Sequence, residues 1–376
     1  MLRWRSALFT LVNTTMHISN LVVRELGLTN VTELEPFATI NGVTVVELDA
    51  AEGHFRVHLV RDSQYMNVKL EEGSKLAAYY NSLFWHEIST AEKISVPSGH
   101  FINRFRVSDG DVQHSVFITK TDGKGSVREK LGMEELKQVA TQIAHLHAIN
   151  SRVVNEQFAI NVEENYRNIK SFRKKIQKDV VEVLQLALAN EVSQFFINPA
   201  AILQKVGILT HHLENIHEDE REIWNRHRVI THGRLSAETC KFDEEGNLVE
   251  ITEWENIHLG NPVEDLTNLL VTSADVEIRR KKFMKIFQVY FYALVDLQPP
   301  NYQLLDLKKW FKEYEAEAVL NGIEALLLTL SENPDDKIKR AAAHRWETSL
   351  DDTVDFLTGN YVSDDEHTFF AHKEDE

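Results

Sequence analysis

The spacing of hydrophobic residues changes character about a third of the way along the chain. Between Pro36 and Leu70, the segments VTVVELDA, HFRVHLVRD and YMNVKL alternate partially and are separated by turn-forming pairs, which predicts three or more antiparallel strands. An amphipathic helix over 17–28 precedes them, and a helix over 75–94 follows them. Two more strands, FINRFRV and HSVFITK, complete a β-rich first third.

From Met133 onward the helical period dominates the hydrophobic pattern. It predicts helices over 133–149, 161–217, 278–297, 305–330 and 335–358. Residues 228–258 interrupt this series with a strand-like VITH, a turn at Glu245-Gly246 and a second strand-like LVEITEW.

A β-rich first third followed by a mainly helical remainder predicts an α+β fold in two lobes. The change of pattern near 119–124 marks the boundary between them. The predicted organisation is a helical extension over 1–30, an N-lobe over 31–120, a C-lobe over 121–360 and an acidic tail over 361–376.

The composition of the chain disfavours some classes of binding partner. The formal net charge of −17 over 376 residues disfavours nucleic acid and anionic membrane surfaces, because both would repel the chain at long range. No segment approaches the roughly 20 apolar residues of a membrane-spanning helix. The single cysteine, Cys240, fits a reducing compartment and favours a cytoplasmic location. The short apolar run Ala7–Val12 leaves a signal segment as the alternative.

The segment 229–270 carries the most specific motif in the chain. It reads VITHGRLSAETCKFDEEGNLVEITEWENIHLGNPVEDLTNLL. It resembles the choline-kinase-like and ecdysteroid kinase-like families, and especially their nematode-enriched branch. The matching groups, at the family's spacings, are His232-Gly233, Leu235, Trp254, Asn256-Ile257-His258, Gly260-Asn261-Pro262 and Glu264-Asp265-Leu266.

A second match lies upstream, in LFWHEISTAEKI, HSVFITKTD and EELKQVATQIAHLHAI, where the family has a helix with a glutamate, a strand, a hinge and another helix. The resemblance covers about residues 65–300. It implies a two-lobed protein-kinase-like fold, with ATP and Mg²⁺ as ligands and phosphoryl transfer as the reaction.

The motif departs from the family at the positions that the resemblance assigns to catalysis and metal binding. Two residues after His232, Arg234 stands where the family has its catalytic aspartate, and a guanidinium cannot act as a base. Thr239 replaces a metal-ligating asparagine, and a hydroxyl is a weaker magnesium ligand than a carbonyl oxygen. Glu253 replaces the principal metal-binding aspartate and keeps its charge.

The resemblance also assigns a cofactor-binding set in the first lobe. Lys69 is predicted to grip the nucleotide phosphates, Glu87 to pair with that lysine from the helix, and Ile118 to belong to the same set. Only Asn41-Gly42 lies where the family's glycine-rich turn is expected, so the cover over the phosphates is predicted to be poor. Together these departures put binding of ATP and Mg²⁺ in doubt.

Three hypotheses follow from this pattern. The first is a pseudokinase of the small-molecule kinase-like type with a binding or regulatory role. The second is an active ATP-dependent kinase for a small hydroxyl compound such as choline, ethanolamine or a steroid, in which one of Asp243, Glu244, Glu255 and Asp265 replaces the lost base. The third is a fold used for contacts with a protein partner, with a cleft filled by its own side chains.

Several polar residues have simpler structural interpretations. Asp265 and Asn261 are predicted to satisfy backbone donors at a helix start rather than to catalyse. Neither His145 with His147 nor the adjacent His211-His212 has the spacing of a metal site. Cys240 is predicted to be buried rather than reactive.

Overall fold

The structure, a computed structural model, describes residues 19–34, 37–38, 44–61, 82–109, 112–121, 125–149, 156–216 and 227–361. The predicted strand YMNVKL with Lys69, the turn Asn41-Gly42 and the tail from residue 362 lie outside the described residues. The chain divides into two compact units. Unit 1 comprises Met1–Ser126 and Lys241–Ile257, and unit 2 comprises Val127–Cys240 and His258–Glu376.

Unit 1 is built on an antiparallel sheet. Its strands are β1 (Thr32–Glu33), β2 (Phe37–Ala38), β3 (Thr44–Ala50), β4 (Gly53–Arg61), β5 (His100–Asp109) and β6 (Val112–Thr121). They lie in the order β1-β3-β4-β6-β5, with β2 also paired to β3. A two-residue turn joins β3 to β4, because Ala50 pairs with Gly53, and Gly53 has a φ of 133° that favours glycine.

The two faces of this sheet have opposite chemistry. One face carries Val46, Val57 and Ile118, which pack against Val22 of helix α1, residues 19–26. Side chains alternate between the two faces of a strand. Glu47, which follows Val46 in β3, therefore lies on the opposite face of the sheet. The alternation that predicted these strands therefore separates an apolar core from a buried polar layer.

Three further elements complete unit 1. Helix α2 covers residues 82–91, within the helix predicted over 75–94. Strands β8 (Cys240–Phe242) and β9 (Leu248–Ile251) form a hairpin whose turn contains Gly246, at a φ of 85°. A short 3-10 helix, Trp254–Asn256, follows the hairpin. The predicted turn at Glu245-Gly246 and the strand after it are confirmed. The first strand of the hairpin is Cys240–Phe242 and not the predicted VITH, which pairs with His258–Gly260 instead.

Unit 2 is mainly helical. Its helices are α3 (Met133–His147), α4 (Glu156–Leu188), α5 (Pro199–Asn215), α6 (Glu264–Ser273), α7 (Phe283–Leu297), α8 (Leu304–Glu332) and α9 (Asp336–Leu357). Strands β7 (Val229–Thr231) and β10 (His258–Gly260) pair antiparallel. The α+β organisation predicted from the sequence is confirmed. In the described part of the chain, no helix is long and apolar enough to span a membrane.

One predicted helix is wrong in its extent. The continuous helix expected over 161–217 is divided into α4, a 3-10 turn over Glu191–Phe195, and α5. The second helix begins at Pro199, which lacks a backbone N–H and fits the first turn of a helix but not its interior.

Candidate functional site

The loop that leaves β7 contains the predicted catalytic positions. Thr231 of β7 pairs with His258 of β10, and His232 follows as a fully buried residue. Gly233 has a φ of 82°, a left-handed conformation that costs glycine little and other residues more. The chain therefore turns sharply immediately before position 234.

Asp265 holds this loop in place. It lies in the first turn of α6 and is fully buried. Its Oδ2 accepts the backbone N–H of His232 at 2.7 Å, and its Oδ1 accepts the backbone N–H of Gly233 at 2.9 Å. The structural role predicted for Asp265 is confirmed, although the donors it satisfies belong to the loop. Asn261 also caps backbone, because its Oδ1 accepts the N–H of Val263 at 2.9 Å.

Arg234 occupies a half-buried position on the clamped loop. Its backbone N–H donates to Nδ1 of His232 at 3.3 Å, so this hydrogen bond requires the tautomer with its proton on Nε2. The arrangement holds a guanidinium at the position where the family has a carboxylate. A guanidinium stays protonated and donates hydrogen bonds only. Position 234 of the loop therefore carries a cation that cannot act as a base.

Thr239 does not fit the predicted role of metal ligand. It ends a short 3-10 helix, Ala237–Thr239, and is 1% exposed. Its hydroxyl accepts the backbone N–H of Ser236 at 3.0 Å and donates to the carbonyl of the same residue at 3.0 Å. Its hydroxyl is therefore engaged in closing its own turn. The next residue, Cys240, is fully buried, as predicted, and burial raises the pKa of its thiol to about 12.

Glu253 has an unusual backbone conformation. Its φ of 62° and ψ of 55° place it in the left-handed region, which is uncommon for a residue with a side chain and often marks a functional turn. The following Trp254 is fully buried, stacks on Trp85 at 4.5 Å and donates from Nε1 to the carbonyl of Ile251 at 2.8 Å. These contacts of Trp254 anchor the turn.

The predicted magnesium ligands do not make a convincing donor set. Glu253 offers a carboxylate, but the hydroxyl of Thr239 is engaged with Ser236. Among the residues that the structure describes, no group of three His, Cys, Asp or Glu side chains is placed to hold a metal ion. Any magnesium bound here would depend on Glu253 and on oxygens of the nucleotide itself.

A buried group of charges, the Arg56 cluster, occupies the polar face of the unit 1 sheet. It consists of Arg56, Glu47, Glu250 and Lys241. The Arg56 Nη2 lies 2.9 Å from Oε1 of Glu47 and 3.1 Å from Oε2 of Glu250. Lys241 donates to the same Glu47 oxygen. Two cations are thus neutralised by two carboxylates within the same unit.

The cluster is strongly coupled electrostatically. Burial opposes ionisation of Glu47, but the hydrogen bond from His54 and the charges of Arg56 and Lys241 outweigh it and hold the pKa of that carboxyl well below its usual range. Burial likewise opposes the charge of Arg56, yet Glu250 and then Glu47 outweigh it and raise its pKa. The two carboxylates offset the cost of burying the guanidinium charge.

Two histidines lie on the same polar layer and remain neutral. His58 of β4 stacks on Phe117 at 4.0 Å between ring centroids, and His86 of α2 donates from Nδ1 to the carbonyl of Gly99 at 2.7 Å. Burial, and then the charge of Arg56, lower the pKa of His58 well below its usual value. Burial also lowers the pKa of His86 to about 4, although the bond to Gly99 opposes this shift.

The lowered pKa values of these two histidines predict that the free energy of unfolding decreases at acid pH. The unfolded chain protonates them near pH 6.5, whereas the folded chain does so only at lower pH. Stability is therefore fully present above pH 6.5 and falls as the pH drops toward 4, by about 1.4 kcal/mol per pH unit for each histidine. Urea unfolding at pH 7.5, 6 and 5 measures this loss. His58→Phe keeps the stack on Phe117 and should remove about half of the slope.

The matched control replaces an exposed histidine. His211 lies on α5, and its ring contacts only its neighbour Asn215 among the contacts resolved there. His211→Phe should leave the slope between pH 6.5 and 5 unchanged. An identical slope in His58→Phe and the native chain would contradict the assignment.

Two of the three predicted cofactor-binding residues, Glu87 and Ile118, lie among the described residues. Glu87 lies on α2, but its resolved ion pair is with Arg104 of β5 at 3.3 Å, and its predicted partner Lys69 lies outside the described residues. Ile118 is fully buried within the apolar face of the sheet. The structure thus places Glu87 near the surface and Ile118 in the core, and their cofactor roles stay predictions.

The loop motif can now be compared with known proteins. Residues 124–299 match the ecdysteroid kinase-like family. This match confirms the resemblance inferred from the motif around His232 and includes Arg234, Thr239, Glu253 and Asp265. The ecdysteroid kinase-like match starts after the sheet of unit 1, so the predicted extension of the resemblance to residue 65 and the nematode branch stay predictions. A comparison with curated proteins gives no match.

This chain is similar to solved structures of small-molecule kinases. Choline kinase LicA from Streptococcus pneumoniae is 11% identical, with 89% of this chain and 98% of that chain covered and a TM-score of 0.46. Plasmodium vivax ethanolamine kinase is 12% identical, with 84% and 81% covered and a TM-score of 0.46. A gentamicin complex of the phosphotransferase APH(2")-IIa is 13% identical, with 89% and 95% covered and a TM-score of 0.48.

The Arg56 cluster is not among the features predicted from the sequence. A usable signal was present, because Glu47 and Asp49 on one strand, and His54, Arg56 and His58 on the next, recur at period two. Such spacing places each set on one face of its strand. The pattern indicates a polar face of the sheet, but the same alternation is typical of a solvent-exposed face, so it does not reveal the burial of the cluster.

Proposed function

We propose that this ecdysteroid kinase-like chain is a pseudokinase, with a binding or regulatory role in place of phosphoryl transfer. The observation that carries the proposal is Arg234, held on a loop whose backbone is clamped by Asp265. In phosphoryl transfer a carboxylate orients the acceptor hydroxyl and takes its proton. A permanently charged guanidinium at that position does neither.

The test is ATP turnover by the purified protein with magnesium, with and without choline or ethanolamine. The native chain should release phosphate at the background rate. Arg234→Asp with Thr239→Asn restores the family's residues and should raise turnover above the native chain, since a positioned general base contributes about 10²–10⁴-fold. Thermal-shift titrations with ATP, GTP and ADP, each with and without magnesium, report nucleotide binding separately.

The matched control is Arg24→Asp, an identical change at an exposed residue of α1. It should leave turnover at background. Magnesium-dependent turnover by the native chain, abolished in Glu253→Ala, would contradict the pseudokinase proposal. That result would favour the alternative, an active phosphotransferase for a small-molecule hydroxyl such as choline, ethanolamine or a steroid.

A further inference from the structure

Unit 2 contains a cavity that neither the loop nor the proposed function uses. Its volume is about 480 Å³, within the range of small-molecule sites. It lies beside the β7–β10 pair, the end of α3 and the segment that joins α7 to α8. Its apolar wall includes Ile149, Ile230, Leu259, Leu294, Pro299 and Pro300.

The cavity is also lined by polar side chains, one of which is a guanidinium. Arg228, His147 and His227 line it, and no Asp or Glu stands among the described residues of its wall. This is notable in a chain with a formal net charge of −17. Arg228 is paired through Nη1 with Glu163 of α4 at 2.9 Å, and that residue is not part of the wall. A guanidinium has five N–H donors and can serve two anionic partners at once.

The histidine side chains that line the cavity are held in place by contacts with neighbouring side chains. Nδ1 of His147 lies 2.8 Å from the hydroxyl of Tyr290, which lies 3.0 Å from the hydroxyl of Tyr302. His227 is 2.7 Å from Oδ1 of Asn301, and its ring packs at 5.3 Å from that of Trp310. Side chains held by such contacts need little reordering when a ligand binds, which lowers the entropic cost of binding.

We propose that this cavity binds a small organic anion, with an apolar body of about two rings and one carboxylate or sulfonate directed to Arg228. The apolar wall receives the body, and Arg228, with His227 beside it, receives the charge. The site is separate from the loop at positions 232–239, and the proposal holds whether or not that loop transfers phosphate.

The probe is 8-anilinonaphthalene-1-sulfonate, whose fluorescence rises in an apolar environment. The full-length native protein should bind it saturably at one site. Leu259→Trp and Ile149→Trp each place an indole in the cavity and should abolish that site, with the far-ultraviolet circular dichroism of each variant confirming that it is folded. The matched control is Leu203→Trp, on an exposed part of α5 away from the cavity.

The anionic group is tested with N-phenyl-1-naphthylamine, which has the same body and no sulfonate. The sulfonate should increase affinity by about tenfold or more, and Arg228→Gln should remove most of that difference, since a hydrogen bond to a charged group contributes about 1.5–3 kcal/mol. Equal affinity for the two probes in the native protein would overturn the anionic class. Undiminished binding in folded Leu259→Trp and Ile149→Trp would overturn the site itself.

Discussion

Arg56→Met is expected to destabilise unit 1 by about 3–5 kcal/mol, because it leaves buried carboxylates without their shared cation. Arg56 is 5% exposed, and Glu250, its partner on β9, is 2% exposed. Methionine retains much of the side-chain volume, so the loss reports charge more than packing. Urea unfolding at pH 7.5, followed by tryptophan fluorescence, measures the difference in free energy of unfolding.

Two further variants separate charge from shape. Arg56→Met with Glu250→Gln removes the uncompensated charge along with the cation and should recover part of the loss. Arg104→Met makes the same substitution on β5 of the same sheet, where the side chain is 60% exposed and pairs with Glu87. That surface pair should contribute less than about 1 kcal/mol. Similar losses in Arg56→Met and Arg104→Met would rule out a buried charge cluster.

Asp265→Ala is expected to destabilise unit 2 by about 3–5 kcal/mol, since it leaves two buried backbone N–H groups unsatisfied at once. Those groups belong to His232 and Gly233 and have hydrogen bonds of 2.7 and 2.9 Å to the two carboxylate oxygens. Asp265→Asn should be milder, because an amide oxygen can still accept one of the two bonds. Chemical denaturation of both variants measures the two losses.

The control for Asp265 is another aspartate of unit 2. Asp275 is 47% exposed and accepts from Lys130 at 2.8 Å, so Asp275→Ala should change the free energy of unfolding by less than about 1 kcal/mol. If Asp265→Ala were as stable as Asp275→Ala, the clamp on the loop would contribute nothing measurable. The order native, then Asn, then Ala at position 265 distinguishes the clamp from a general effect of charge removal.

The fold could be predicted largely from periodicity, since strands and helices bury their side chains at different spacings. The pattern located β3 to β6, α3, β7 and β9, but it did not locate β8, the first strand of the hairpin. It joined α4 and α5 into one helix, because both continue a similar amphipathic period while Pro199 acts locally. This break depends on the single missing backbone N–H of Pro199. Hydrophobic periodicity averaged over a long segment does not reveal it.

The residues of the site that could be predicted are those whose role depends on residue type and on nearby residues in the sequence. Arg234 and the capping role of Asp265 followed from residue type and position in a motif. The Arg56 cluster did not, because Arg56 and Glu250 are 194 residues apart and their contact depends on the sheet register and on β9. Asp265 was expected to satisfy donors of its own helix, whereas it binds a loop 33 residues earlier. Long-range partners of buried charges are decided by tertiary packing.

The reactivity of the lone cysteine reports the transient opening of strand β8. Cys240 begins β8 directly after Thr239, is fully buried, and has a thiol pKa raised to about 12. Thiol reagents attack the thiolate, which is scarce in such an environment. Modification therefore proceeds only through molecules in which this strand has transiently opened. The rate at which a thiol reagent labels this single sulfur therefore reports how often the strand opens in a protein of native sequence, with no introduced cysteine.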